Sequence, residues 1–218
     1  MIKNKYYLLI FLCFILLSCN NKHKKDIGTE LDNNSNYQSD SVIFDCDYTF
    51  DEAISGFEIP QNIIDQLVLL DVKYYSMDGK IHRGQLLTNK LIADDLVEIF
   101  DFILQEKFPI EKVIPIVKYD WNDTLSMEDN NSYSFCYRDI SYSKHAKGMA
   151  IDLNPRLNPV RWHKEYSYRK DMPENGTYNP EIPGTFTPEH PVVLKFKALG
   201  FKWGRHFKRN MDDHHFQK

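Results

Sequence analysis

SKHAKGMAIDLNP, residues 143–155, sets a histidine and a carboxylate seven positions apart around two very small residues. If 148–154 is a strand, side chains alternate between its faces. Gly148, Ala150 and Asp152 then share one face while Met149, Ile151 and Leu153 point into a core. The carboxylate looks out over a floor with almost no side chains. His145 lies just before the strand, where a turn can bring its ring beside Asp152. Zinc accepts both imidazole nitrogen and carboxylate oxygen at roughly 2.0–2.2 Å, so this stretch reads as half of a metal site that needs a third ligand.

The terminal stretch MDDHHFQK, residues 211–218, supplies it. Adjacent His214 and His215 on a strand point to opposite faces, so at most one is expected to meet the metal. The reading takes His215 as that ligand and Asp212, three residues upstream, as general base. Two histidines, one aspartate and an open fourth position for water form the pattern of a catalytic rather than a structural zinc site. On this reading Asp213 and His214 tolerate replacement, and His82, His163, His190, His206 and His214 are surface or supporting residues.

The string S-x-H-x-x-G-x-A-x-D, followed by Trp203-Gly204 and a terminal D-x-x-H-F (Asp212, His215, Phe216), resembles the zinc D-alanyl-D-alanine carboxypeptidases of the VanY kind. These group with the D-Ala-D-Ala dipeptidases, the phage L-alanyl-D-glutamate endopeptidases and the Hedgehog signalling domain. The resemblance runs from roughly Gly56 to the C-terminus. It implies an α+β fold, a single compact domain with an antiparallel sheet and flanking helices. It also implies a role for Arg138 in holding the scissile carbonyl and its developing oxyanion, and substrate contacts from Ser143 and Trp203. Three positions depart from the pattern. The loop from Arg138 to His145 is short, Arg205 stands where a second glycine often follows Trp-Gly, and Gln217 replaces a common glutamate.

The rest of the chain is expected to place this domain outside the cytoplasm. Residues 1–18 read as a signal peptide, with Lys3 and Lys5 before an apolar run and then Leu16-Leu17-Ser18-Cys19, a lipobox that makes Cys19 the lipidated first residue of the mature chain. The apolar run is short for a bilayer span of about twenty residues. Residues 19–45, rich in Asn, Lys, Asp and Ser, are expected to be a disordered tether, and 46–218 the peptidase domain. Loss of the two lysines takes the formal charge from −4 to −6, which disfavours a nucleic-acid partner. Of the four cysteines, Cys46 and Cys136 remain after export and lipidation. A disulfide between them stays open at this point.

Within the domain, Leu67 to Tyr75 and Ile81 to Thr88 flank Met77-Asp78-Gly79-Lys80, a strong hairpin signal. Leu91 to Glu106 has the apolar spacing of a helix packed on a core, Val113 to Tyr119 reads as a strand, and Asp120 to Ser132 as a polar loop. Val192 to Ala198 is expected to be a short helix closed by Gly200. The proline-punctuated segment 154–188, between the two metal-binding motifs, is expected to wall or cover a substrate cleft.

The expectation is a zinc-dependent D,D-carboxypeptidase that removes terminal D-alanine from peptidoglycan stem peptides, anchored to a membrane through its N-terminal lipid and facing the periplasm or exterior. A D-Ala-D-Ala dipeptidase or an L-Ala-D-Glu-type endopeptidase with the same chemistry is the nearest alternative. A non-catalytic, zinc-containing wall-binding lipoprotein is the alternative of another class.

Overall fold

The structure, a computed structural model, describes residues 41–218, and the chain enters it through strand β1 (Ile43–Phe44). Two single-turn helices, α1 (Phe50–Ala53) and α2 (Gln61–Ile64), lead into the hairpin of β2 (Leu67–Tyr75) and β3 (Ile81–Asn89). Helix α3 (Lys90–Gln105), strand β4 (Lys112–Val113), helix α4 (Asp123–Glu128) and strand β5 (Asn131–Ser132) follow. The C-terminal part adds β6 (Ala150–Asp152), β7 (Val160–Trp162), α5 (Pro191–Ala198), β8 (Lys202–Trp203), β9 (Asn210–Asp212) and β10 (His215–Gln217). These elements form one compact α+β body. Its strands make four small sheets, mostly antiparallel as expected, with β1-β3 and β4-β5 the parallel pairs: β1-β3-β2, β6-β10-β8, β4-β5 and β7-β9.

The expected signal peptide, Cys19 and most of the tether lie outside the described residues. The folded body nevertheless begins before residue 46. Ile43 and Phe44 pair in parallel with His82 and Arg83, and the Asp45 carboxylate meets both the Tyr74 hydroxyl and His82 Nδ1, the latter at 2.7 Å. Residues 43–45 thus belong to the domain rather than to a disordered tether.

The hairpin follows from its turn. Gly79 takes φ +76°, the left-handed region open to glycine, and the Ser76 N–H donates to the Lys80 carbonyl at 2.8 Å. Helix α3 starts where the Asn89 side chain accepts the Leu91 N–H. Its buried residues Ile92, Leu96, Ile99, Phe100 and Ile103 recur every three or four positions and pack on Val72, Tyr74 and Leu86 of the hairpin. Each such side chain contributes about 1.5–3 kcal/mol of burial. Leu91, expected in that stripe, faces solvent at 77% exposure.

Two expected elements differ. The strand read over Val113–Tyr119 ends at Val113. Pro115 offers no N–H to a ladder, and Ile116–Tyr119 coils into a 3-10 turn. The polar stretch 120–132 contains α4, started by Asn122 accepting the Leu125 N–H, and β5. Cys46 and Cys136 are both free, and their thiols point to different backbone carbonyls, those of Val113 and Trp121. Among the described residues no helix is long and apolar enough to cross a membrane.

The sheet that matters for function is β6-β10-β8. Ile151, Phe216 and Trp203 stand in register across it and face the core, where Phe196 of α5 stacks on Phe216 at 4.0 Å. By alternation the neighbouring residues of β10, His215 and Gln217, face away from this core, opposite Asp152 and Ala150 of β6. The core therefore fixes one face of the sheet and presents the other for chemistry.

Candidate metal centre

Antiparallel pairing of His215 with Asp152 sets the two side chains directly across from each other, with His215 Nδ1 2.9 Å from Asp152 Oδ1. His145 arrives from a 3-10 turn, His145–Lys147, and its Nε2 lies 3.2 Å from Asp152 Oδ1 and 3.0 Å from His215 Nδ1. All three residues are buried.

The turn that delivers His145 is pinned at several points. The Ser143 hydroxyl accepts the Ala146 N–H at 3.2 Å, and the His145 carbonyl accepts the Cys136 N–H at 3.2 Å. Gly148 closes the turn at φ +65°, and a Cβ there would lie 2.7 Å from the Asn89 backbone nitrogen. Only glycine fits this position without moving the turn against β3. The expected strand over 148–154 is accordingly shorter, Ala150–Asp152, with Gly148 outside it.

Both histidines have their other ring nitrogen occupied. His145 Nδ1 lies 2.7 Å from the Ser134 carbonyl, which can only accept, so the proton sits on Nδ1 and the Nε2 lone pair faces the centre. His215 Nε2 donates in the same way to the Gln217 amide oxygen at 3.0 Å, leaving Nδ1 to face the centre. Three acceptor atoms thus converge at 2.9–3.2 Å. Such lone pairs repel unless a cation or a proton lies among them. Three ligands about 2.1 Å from a tetrahedral ion stand ~3.4 Å apart, so the set fits zinc with little adjustment.

The titration of the site expresses the same demand for positive charge. Burial pushes the Asp152 carboxyl up, yet the positive fields of His145 and His214 and the hydrogen bonds that His145 and His215 donate when doubly protonated outweigh it and hold the group well below the usual carboxylate range. Burial pulls His215 down, but the hydrogen bond and charge of Asp152, with help from Asp212 and Gln217, raise it to about 9.

The neighbours of the triad divide into distinct roles. Asp212 ends β9, and a Cβ on Gly204 would meet its carbonyl oxygen at 2.7 Å and its Cβ at 2.8 Å, which explains a glycine after Trp203. Its Oδ1 lies 3.1 Å from His214 Nε2 without hydrogen-bond geometry and is a buried oxygen with no donor among the described residues. His214 does not follow strand alternation, because Asp213 and His214 form the turn between β9 and β10. Its Nδ1 donates to the Asn158 carbonyl at 2.8 Å, and its Nε2 stands 3.8 Å from Asp152 Oδ2, beside the triad.

Arg138 pairs with Asp123 of α4 at 3.0 Å through Nη2, and its buried Nε has no partner among the described residues. Ser143 caps the turn locally. Trp203, expected at the substrate pocket, is instead a core residue at 4% exposure, in register with Phe216 and donating to the Asp213 carbonyl at 2.8 Å. A cleft of about 900 Å³ lies between α1, α2 and the hairpin and contains none of the triad.

The model of one protein family, described as D-alanyl-D-alanine carboxypeptidase, matches part of this chain. Residues 138–218 match it. That span is shorter than the resemblance read from Gly56 onward, but it holds Arg138, Ser143, His145, Asp152, Trp203, Asp212 and His215 together. Comparison with curated proteins and with solved structures returned no significant match. The segment that matches the family model supplies every triad residue, and residues outside it, such as Ser134 and Asn89, hold the triad in place. The family is one of peptidases, typically metal-dependent, and His145, Asp152 and His215 can hold a metal ion.

Sequence reasoning did not assign Gln217, Ser134 or Asp213 a part. Gln217 was legible in principle, since i and i+2 on a strand share a face. The Ser134 contact is a backbone one and leaves no trace in side-chain identity.

Proposed function

We propose that the protein is a zinc-dependent D,D-carboxypeptidase that hydrolyses terminal D-alanine from peptidoglycan stem peptides. The observation that supports this most is the convergence of three lone pairs whose tautomers are set by Ser134 and Gln217, in a segment matching a carboxypeptidase family. His145, Asp152 and His215 would hold the ion. Bound there, zinc supplies Lewis acidity and lowers the pKa of water toward 7. The remaining roles fall to side chains. The donor-free Oδ1 of Asp212 takes the proton from the attacking water and returns it to the leaving amine. Arg138, held by Asp123 and with an unpaired Nε, pairs with the scissile carbonyl oxygen as charge develops on it.

Mass spectrometry of products from defined muropeptides tests this reading. Loss of one alanine from a stem ending in D-Ala-D-Ala is the expected result. Loss of a dipeptide or a cut within the stem would reassign the scissile bond. No cleavage by protein carrying about one zinc per chain would favour the wall-binding alternative.

The proposal extends to location. A lipid on Cys19 would hold the domain in the cell envelope, at a membrane facing the periplasm or exterior, within reach of its substrate. Cys19→Ser is expected to abolish labelling by a fatty-acid probe. Unchanged labelling would show that the lipobox was misread.

A further inference from the structure

Two side-chain atoms beside the triad lack a hydrogen-bond partner among the described residues, and they lie against each other. The His214 side chain is only 3% exposed, and its Nδ1–H is committed to the Asn158 carbonyl at 2.8 Å. A carbonyl can only accept, so the neutral ring carries its lone pair on Nε2. That nitrogen lies 3.1 Å from Asp212 Oδ1, a buried oxygen without a donor, and the contact lacks the alignment of a hydrogen bond. The same nitrogen is 3.8 Å from Asp152 Oδ2, the carboxylate oxygen that His145 and His215 leave unused.

Buried polar atoms are nearly always paired, so two of them in close but misaligned contact call for an explanation. A shared ion supplies one. Two ligands of one ion aim their lone pairs at the ion and not at each other, and at about 2.1 Å from it they stand ~3.0 Å apart at a right angle and ~3.4 Å apart at the tetrahedral angle. The His214–Asp212 separation of 3.1 Å falls between these. An imidazole with carboxylate oxygens is a donor set that suits zinc. Asp152 then touches both sites, through Oδ1 in the triad and Oδ2 beside His214. A carboxylate shared in this way suits paired ions, which in two-metal sites stand roughly 3.5–4 Å apart.

We propose that Asp212 and His214, with Asp152 Oδ2 beside them, form a second, weaker zinc site that inhibits the protein when zinc is in excess. Its weakness follows from ligand number and charge. Two close ligands are fewer than the three of the triad, and the two charges of a first ion already balance the carboxylates of Asp152 and Asp212. The inhibition follows from Asp212. Its Oδ1 is the atom assigned to take the proton from the attacking water, and it cannot do so while bound to an ion. The inhibition rests on the peptidase reading above, whereas the site itself does not.

The test is equilibrium dialysis of the full-length protein against free zinc up to about 1 mM, read by elemental analysis. Hydrolysis of a stem peptide ending in D-Ala-D-Ala is followed over the same range. One equivalent of zinc is expected to bind tightly and a second about 100-fold or more weakly, with hydrolysis falling at least about ten-fold as the second fills. His214→Asn sets an amide where Nδ1 stood, which can still donate to the Asn158 carbonyl, and it removes Nε2. This variant should keep the first equivalent, while the second equivalent and the inhibition move to zinc concentrations at least about ten-fold higher. The ratio of hydrolysis at low and high zinc reads the inhibition independently of the basal rate. Asp212→Asn covers the case in which His214→Asn does not fold, and it too should keep the first equivalent and weaken the second. A binding curve that stops at one equivalent, or a second equivalent unchanged in either folded variant, overturns the site. Two equivalents bound with hydrolysis undiminished overturn the inhibition and leave the peptidase reading intact. No hydrolysis at any zinc concentration overturns that reading and the inhibition together, while the binding curves still decide the site.

Discussion

Asp152→Asn is expected to leave a folded protein that holds less than about a tenth of the metal bound by the unaltered chain and shows no measurable peptidase activity. The substitution keeps shape and hydrogen-bonding size while removing the charge around which the centre is built. Asp152 Oδ1 is the atom shared by both histidines, at 3.2 Å from His145 Nε2 and 2.9 Å from His215 Nδ1. Loss of an outer partner of a metal ligand typically costs 10–100-fold in affinity, so losing a ligand that is also the only anion of the set costs more. The fold is expected to survive because the backbone of Asp152 pairs with Tyr133 and the core face of the sheet is untouched. Elemental analysis of the purified variant alongside circular dichroism reads both quantities. Full metal occupancy in a folded Asp152→Asn protein would remove the triad from consideration.

Much of this centre was legible from residue chemistry because its logic is local. The alternation that put Ile151 and Leu153 in the core also turned Asp152 outward, and the same period put Phe216 inward and His215 outward. The Asp-Gly turn, the α3 stripe and the Gly200 stop on α5 are likewise properties of a few neighbouring residues. What stayed hidden depends on contacts between distant segments. Trp203 could be a pocket wall or a core indole until its register with Phe216 was known. The helical turns in 116–128 are held by an N-cap and by packing rather than by apolar period, so pattern alone read them as strand and loop. Arg205 departs from the family pattern, and its reason is equally nonlocal. It reaches the Asp213 carboxylate at 2.9 Å and the Tyr178 hydroxyl at 3.1 Å.

That contact reverses the expectation for the two adjacent carboxylates of MDDHHFQK. Asp213 was expected to tolerate replacement, yet it is fully buried. Arg161 of β7 meets one of its oxygens and Arg205 the other, and Arg161 also stacks on the Tyr178 ring at 4.0 Å. Asp213 therefore ties β7 and the segment after Trp203 to the turn between Asp212 and His215. Removing one partner of a buried pair usually costs about 3–5 kcal/mol. Both arginines are partly exposed, at 25% and 19%, and can turn to water, which favours the lower end. Asp213→Ala is expected to lose about 3 kcal/mol of stability, seen as a fall in Tm of roughly 6–12 °C at about 2–4 °C per kcal/mol for a body of this size. Metal affinity and activity should weaken with it as the turn loosens. Asp212→Asn should behave in the opposite way. Its Oδ1 has no donor among the described residues to lose, so Tm and metal content should stay near those of the unaltered protein while kcat falls by about 10²–10⁴, the value of general base catalysis. Calorimetry, metal analysis and turnover on the two variants separate these roles. A stable Asp213→Ala protein together with an active Asp212→Asn protein would show that neither carboxylate has the part assigned to it.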